Sequence, residues 1–155
     1  MMETTYVGYM DSPMGPIRME ASDTAIRRVD LVEKKGESQE NEIIRKCQTE
    51  LEDYFRGERK TFDIPLAPEG TAWQERVWKI LETIPYGTTT SYGIVAAKAG
   101  NPKAFRAAGG AIHNNPILIL IPCHRVIGKN GSLTGFGAGL DNKRYLLDLE
   151  SGAGR

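Results

Sequence analysis

The sequence is poor in the residues from which small chains build disulfide or metal scaffolds. It has two cysteines, Cys47 and Cys123, in 155 residues, whereas a secreted chain of this size usually carries more of them as disulfide bridges. The cysteines and the two histidines, His113 and His124, lack the spacing of a zinc site. We therefore expect neither a disulfide framework nor a bound metal.

Long apolar runs are also missing. The longest candidate, residues 116–122, has the length of a strand and is far shorter than the roughly 20 residues that span a bilayer. Residues 1–4 lack the basic and apolar blocks of a signal peptide. We expect a cytoplasmic protein with no membrane partner.

The chain has no excess charge of either sign, because 20 basic residues balance 20 acidic ones. Their distribution is uneven, since residues 86–145 contain one acid, Asp141, and seven basic residues. These are Lys98, Lys103, Arg106, Arg125, Lys129, Lys143 and Arg144. Chance can produce such an asymmetry, but a basic surface that meets a polyanion explains it better.

The first part of the chain has the pattern of short strands. Residues 5–10, 16–21 and 25–32 are apolar or alternating, and turn residues separate them. This pattern predicts a small antiparallel meander.

Helical spacing of apolar side chains then predicts a helix that Ser38 opens and Gly57 ends. The apolar positions are Ile43, Ile44, Cys47, Leu51, Tyr54 and Phe55. Because Cys47 belongs to this stripe, we interpret it as a small core residue.

Residues 62–70 contain two prolines and a glycine. We interpret them as the linker between an N-terminal domain, residues 1–65, and a C-terminal domain, residues 71–155. Thr71 and Gln74 have the spacing of a capping box that starts the next helix.

Two further short helices are expected in the basic half. Ser91 is expected to cap residues 92–99, and Asn101 to cap a second helix with Pro102 at its first position. Joined at Gly100, the two helices predict a helix-turn-helix.

The rest of the chain completes the predicted fold. Residues 117–121 are fully apolar and are predicted to form a buried strand, Asn130-Gly131 predicts a hairpin, and residues 141–150 a last helix. The fold class is therefore α+β: a small N-terminal antiparallel sheet with a helix, then a C-terminal winged-helix domain that carries the site.

The segment after the apolar run, residues 122–125, is the strongest candidate for chemistry. A free cysteine has a pKa of about 8.5 and is mostly protonated at pH 7. We expect the basic groups of His124 and Arg125 to favour the thiolate of Cys123. Pro122 stiffens the chain that leads to the cysteine. The segment predicts a reactive thiol, although an inert cysteine at a strand end is the alternative.

The same segment closely resembles the active-site signature of the methylated-DNA–protein-cysteine methyltransferases. The matching residues are Asn-Pro at 115–116 and Ile-Leu-Ile-Pro-Cys-His-Arg-Val at 119–126. Ile-Pro-Tyr-Gly at 84–87, Ser-Tyr at 91–92 and Gly-Asn-Pro-Lys-Ala-Phe-Arg-Ala at 100–107 match the same family. The resemblance covers residues 71–150.

The resemblance implies a role for each matching residue at the reaction centre. Cys123 is the implied alkyl acceptor, His124 the base that acts through a water, and Glu150 the acid that orients His124. Asn115 is the implied hinge between the recognition helix and the active-site loop. Tyr92 is implied to turn the phosphate and to protonate the departing guanine.

DNA contacts and the alkyl pocket are implied in the same way. Arg106, in the middle of the recognition helix, is the implied finger that replaces the flipped base. The other implied DNA contacts are Ala107, Lys103 and Arg125. The implied pocket residues are Val126, Phe136, Gly137 and Ala138.

The pocket departs from the family pattern. Better-known members have tyrosine at Phe136, serine at Gly137, and, in those that accept bulky adducts, glycine at Ala138. The alanine at 138 implies a preference for methyl over large groups, and at Gly137 a backbone N–H can still serve near O6.

The resemblance implies DNA repair by irreversible transfer of one methyl group from O6-methylguanine to the protein itself. The implied partner is double-stranded DNA whose damaged base is flipped out, with no cofactor and a monomeric protein. Two other classes remain as alternatives. A winged-helix regulator explains the charge asymmetry but not Cys123-His124, and a cysteine hydrolase explains the thiol but not the basic helix pair. Alkyltransferase-like binding proteins resemble this fold but lack the acceptor cysteine. Because Cys123 is present, this class is set aside.

Overall fold

The structure is a computed structural model that describes residues 4–133 and 135–152. Two compact units make up the chain, Met1–Glu69 and Gly70–Arg155. Across residues 4–133 and 135–152, no helix has the length and apolar character required to cross a membrane.

The first unit contains the predicted meander. Strands β1 (Tyr6–Met10), β2 (Ile17–Ala21) and β3 (Ile26–Leu31) pair antiparallel in the order β1-β2-β3. The alternating pattern holds on β2, where every second side chain is buried. The predicted linker is partly ordered against this sheet, because the backbones of Pro65 and Ala67 bond to Ile26.

Helix α1 (Glu42–Phe55) covers this sheet, but it does not begin at Ser38 as predicted. Asn41 is the N-cap, and its side-chain oxygen accepts the backbone N–H of Ile44 at 3.0 Å. Cys47 lies in the apolar core, where burial raises its pKa to about 12. The interpretation of Cys47 as a small core residue is therefore confirmed.

The second unit begins with helix α2 (Ala72–Leu81), and the predicted capping box between Thr71 and Gln74 is confirmed. Ser91 caps α3 (Tyr92–Lys98), as predicted. The next helix, α4 (Phe105–His113), begins four residues after Asn101. The Asn101 side chain accepts the N–H of Lys103 and its carbonyl that of Ala104, so residues 101–104 form a turn and Asn101 is not the cap.

The predicted strand at residues 117–121 is wrong, although its burial is as expected. The segment is a buried series of turns in which Ile119 has φ = +71°. Backbone N–H groups of Leu120 and Ile121 bond to carbonyls two and four residues earlier, which satisfies them without a neighbouring strand. An apolar run between two prolines does not distinguish this loop from a buried strand.

The predicted hairpin is also wrong as a pair of antiparallel strands. Instead, β4 (Thr90–Ser91) pairs in parallel with β5 (Val126–Ile127). The turn at Asn130-Gly131 is present, since Gly128 donates to Ser132 and Gly131 has φ = +84°. The last helix, α5 (Leu140–Ser151), is confirmed.

Candidate active site

Cys123 begins a single 3₁₀ turn, Cys123–Arg125, directly after the buried loop. It is 7% exposed, and burial raises the pKa of its thiol above the ordinary value. A hydrogen bond from Asn115, the charge of Lys143 and backbone N–H groups act in the opposite direction. His124 and Arg125, which were expected to supply positive charge to the thiolate, both bond to the carboxylate of Glu150.

Asn115 holds the loop against the thiol. Its Nδ2 donates to the carbonyl of Ile121 at 2.8 Å, and its Oδ1 accepts the N–H of Ile117 at 2.9 Å. Since Asn115 also bonds to Cys123, one side chain fixes both ends of the loop and the cysteine that follows it.

Behind the thiol, Glu150 of α5 joins two residues of the 3₁₀ turn. Its Oε2 lies 2.6 Å from His124 Nε2, and its two oxygens accept from Arg125 Nε at 2.7 Å and Nη2 at 2.9 Å. All three side chains are buried. The predicted partnership of His124 and Glu150 is thus present in the geometry.

The same contacts define the protonation of His124. Burial lowers the pKa of His124, more than Glu150 raises it, which favours the neutral imidazole. With Nε2 on the carboxylate, the ring hydrogen belongs on Nε2. Nδ1 then carries the lone pair, and it has no hydrogen-bond partner within residues 4–133 and 135–152. The imidazole is able to accept a proton at Nδ1.

Arg125 is an interior residue, contrary to its predicted contact with DNA. It is 6% exposed, its third nitrogen donates to the carbonyl of Ile84 at 2.7 Å, and its guanidinium lies over the ring of Tyr86. A guanidinium bound in this way cannot reach a phosphate without breaking a buried ion pair. Arg125 therefore belongs to the framework of the site.

The residues expected to contact DNA lie around the start of α4. Arg106 and Ala107 are exposed in its first turn and Lys103 is exposed just before it, so Arg106 is not in the middle of the helix as predicted. The ring of Tyr92, the first residue of α3, lies against Gly109.

Two tryptophans of α2 hold α4 in place. Trp73 Nε1 donates to the carbonyl of Ala107 at 3.1 Å, and Trp78 Nε1 to that of Ala111 at 2.8 Å. These bonds hold α4 against α2, and Arg106 of α4 is at the surface.

The predicted pocket residues differ in exposure. Val126 is fully buried in β5, Phe136 and Ala138 are half-buried, and Gly137 is exposed. The backbone is fixed here, since Gly139 N–H donates to the carbonyl of Phe136 and Asn142 Nδ2 to that of Ala138.

Lys143 is the residue that sequence reasoning missed at this site. The charge pattern predicts that Lys143 belongs to a basic surface, yet its side chain is fully buried. Lys143 lies three residues before Leu146 and seven before Glu150, and this helical spacing is the sequence signal that places it on the buried face of α5.

Comparison with known proteins agrees with this geometry. Residues 72–152 match the model of the 6-O-methylguanine DNA methyltransferase DNA-binding domain, and residues 5–68 match the ribonuclease-like domain of the same methyltransferases. The chain belongs to the methylated-DNA–protein-cysteine methyltransferase family. The predicted resemblance is thereby confirmed.

Individual relatives resemble the chain over nearly its whole length. A methylated-DNA–protein-cysteine methyltransferase of Methanosarcina acetivorans is 47% identical over 94% of this chain and 97% of its own. One from Haemophilus influenzae is 42% identical over 96% and 88%. These relatives therefore match both units of the chain.

Solved structures confirm the fold class. The Mycobacterium tuberculosis O6-methylguanine methyltransferase superposes with a TM-score of 0.88 at 41% identity, covering 96% of this chain and 94% of that one. A structure of the M. tuberculosis protein in complex with DNA gives 0.86 at 42% identity, covering 93% and 91%. The second unit thus matches a DNA-binding arrangement.

Proposed function

We propose that this protein repairs DNA by moving the methyl group of O6-methylguanine onto Sγ of Cys123, once per molecule. The observation that carries the proposal is the buried Cys123 turn backed by His124 and Glu150 in a chain of this family. The alternatives, a winged-helix regulator and a cysteine hydrolase, do not account for both the thiol site and the family match.

The proton of the thiol is the first to move. It passes from Cys123 through one water to Nδ1 of His124, and Glu150 stabilises the imidazolium through Nε2. Because burial lowers the pKa of His124, the ring is neutral and ready to accept this proton.

The methyl transfer is an in-line substitution. A lone pair of Sγ of Cys123 forms the S–CH₃ bond while the CH₃–O6 bond breaks and its electron pair passes to guanine. The guanine takes up one proton, for which we propose the hydroxyl of Tyr92 as donor, and the phenolate of Tyr92 is then reprotonated through solvent at the expense of the imidazolium of His124. The thioether is stable, so each protein molecule acts once. Every atom of this reaction comes from the protein and its substrate, and no cofactor is required.

The alkylated base must leave the duplex before it can reach a buried thiol, at a cost of a few kcal/mol. We propose that the side chain of Arg106 enters the base stack of the DNA in place of the flipped base. Ala107 then lies against the DNA backbone, and Lys103 neutralises a DNA phosphate. Exposure of these residues at the start of α4 supports this role.

Alkyl preference follows from the loop before α5. We propose that the backbone N–H of Gly137 takes the place of a side-chain hydroxyl near O6, with Phe136 and Val126 beside it. Ala138 narrows the pocket, so methyl is favoured over benzyl. Double-stranded DNA with O6-methylguanine is the proposed partner and the proposed active form is a monomer, located where the DNA is, in the cytoplasm or nucleoid.

The test is a titration of an O6-methylguanine duplex with wild type, Cys123→Ser and Cys47→Ser. Nucleoside analysis should show one restored guanine per wild-type or Cys47→Ser molecule and none with Cys123→Ser. An O6-benzylguanine duplex should react more slowly. Turnover of an ester or amide would favour the hydrolase instead, and binding without restored guanine would favour the regulator.

A further inference from the structure

Phe105, the first residue of α4, is an exposed aromatic side chain that the methyl transfer does not use. It is 51% exposed, although a ring of this size is usually covered. Together with Ile94 and Ile127 it lines an open groove of about 1020 Å³. Apolar side chains that are exposed side by side indicate a surface that meets another molecule.

The ring of Phe105 is also in contact with Arg106, the residue proposed to enter the base stack. The guanidinium carbon of Arg106 lies 6.0 Å from the centroid of the ring, within the range of a cation–π interaction. Within residues 4–133 and 135–152, no hydrogen bond or ion pair holds the Arg106 side chain. The ring is therefore what orients the guanidinium.

This contact matters because an unsupported arginine side chain has many rotamers. Ordering them when the side chain enters DNA opposes the insertion, and a ring that already holds the guanidinium reduces that cost. Cation–π interactions are also stronger where water is excluded, as it is between stacked bases. The ring therefore favours the inserted guanidinium over the free one.

Resting on the proposed function, we propose that Phe105 is a positioning residue for base extrusion, which holds the guanidinium of Arg106 in the orientation that enters the DNA. The ring takes no part in the methyl transfer. Since it acts through Arg106, its removal should slow repair only while Arg106 is present.

The test is a double-mutant cycle on the two residues. Wild type, Phe105→Leu, Arg106→Ala and the double variant are mixed with a duplex in which 2-aminopurine lies beside O6-methylguanine. The fluorescence of 2-aminopurine rises when the neighbouring base leaves the stack, and nucleoside analysis measures restored guanine.

Two further variants separate the ring from its bulk and its position. Phe105→Leu keeps an apolar side chain without an aromatic face, whereas Phe105→Tyr keeps the face. Leu140→Ala, at another exposed apolar residue, is the matched control because Leu140 begins α5 and does not line the groove.

Phe105→Leu should slow extrusion and guanine restoration by about five- to tenfold, the ratio by which a desolvated cation–π contact exceeds an exposed one. Phe105→Tyr should remain close to wild type, and Leu140→Ala should match it. In the Arg106→Ala protein, the addition of Phe105→Leu should change neither rate. The melting temperature of Phe105→Leu should equal that of wild type, since the residue is exposed.

An equal effect of Phe105→Leu with and without Arg106 would overturn the proposal, because the ring would then act on DNA by itself. Unchanged rates in Phe105→Leu, rates in Phe105→Tyr as low as in Phe105→Leu, or no rise in fluorescence with wild type would also overturn it. The fluorescence does not depend on methyl transfer. If wild type extrudes the base but restores no guanine, the proposed function alone fails, and the fluorescence cycle still decides the role of Phe105.

Discussion

At the scale of single residues, the site depends on burial as much as on residue type. Cys123 and Cys47 are both buried, but hydrogen bonds from Asn115 and backbone N–H groups oppose the rise in the pKa of Cys123, whereas the charge of Glu50 adds to the rise in the pKa of Cys47. Family resemblance predicts Cys123, His124 and Glu150 as the reaction centre, and the structure brings His124 and Glu150 together behind Cys123. The sequence did not predict that Arg125 and Lys143 point inward, because a basic side chain next to a motif is usually at the surface.

The neutral state of His124 has a measurable consequence for stability. Burial lowers the folded-state pKa of His124 below the 6.5 of the unfolded chain, so the unfolded state binds the proton more readily. The free energy of unfolding should therefore be fully maintained above about pH 6.5 and fall as pH drops below it, by at most about 1.4 kcal/mol per pH unit from this group.

Urea unfolding between neutral pH and about pH 5 measures this contribution. His124→Gln should remove it and give a flatter pH dependence than wild type. His113→Gln, at the exposed histidine, should keep the wild-type slope. Equal slopes in His124→Gln and wild type would show that His124 is not held neutral.

At the scale of secondary structure, the sequence predicts elements correctly where backbone hydrogen bonds are made by residues that are close in the chain. The meander, the capping box at Thr71 and the Ser91 cap follow from alternation and capping residues. The loop at 117–121 could not be predicted, since its course depends on the side chain of Asn115 and on a positive φ at Ile119. Neither the hydrogen bond of Asn115 nor the positive φ of Ile119 can be predicted from a run of apolar residues.

The start of α1 offers a direct test of which residue caps it. Asn41→Ala should lower the free energy of unfolding by about 1–2 kcal/mol, because Asn41 caps Ile44 and also donates to the carbonyl of Ser22. Ser38→Ala should change it by less than about 0.5 kcal/mol. Urea unfolding of the two variants measures both, and an equal loss would show that the helix starts earlier than described.

At the scale of the whole molecule, charge is divided between the two units. Met1–Glu69 has ten basic and fifteen acidic residues, and Gly70–Arg155 has ten basic and five acidic ones. Two of the seven basic residues counted between 86 and 145, Arg125 and Lys143, are interior. The basic surface is therefore smaller than the sequence suggests, though still concentrated in the unit that matches a DNA-binding domain.

This division predicts how binding responds to salt. Lys103→Glu should weaken binding to undamaged duplex DNA and reduce the slope of log affinity against log salt by about one. Lys34→Glu makes the same change on an exposed lysine of the acidic unit and should have a much smaller effect. Fluorescence anisotropy at several salt concentrations distinguishes them, and equal effects would mean that binding follows total charge alone.

The sulfur of Cys123 is the proposed acceptor of the alkyl group. After reaction with an O6-methylguanine duplex, tandem mass spectrometry of the digested protein should find one added methylene on Cys123 and none on Cys47. A methyl group on any other residue, or repaired DNA beside an unmodified protein, would contradict it.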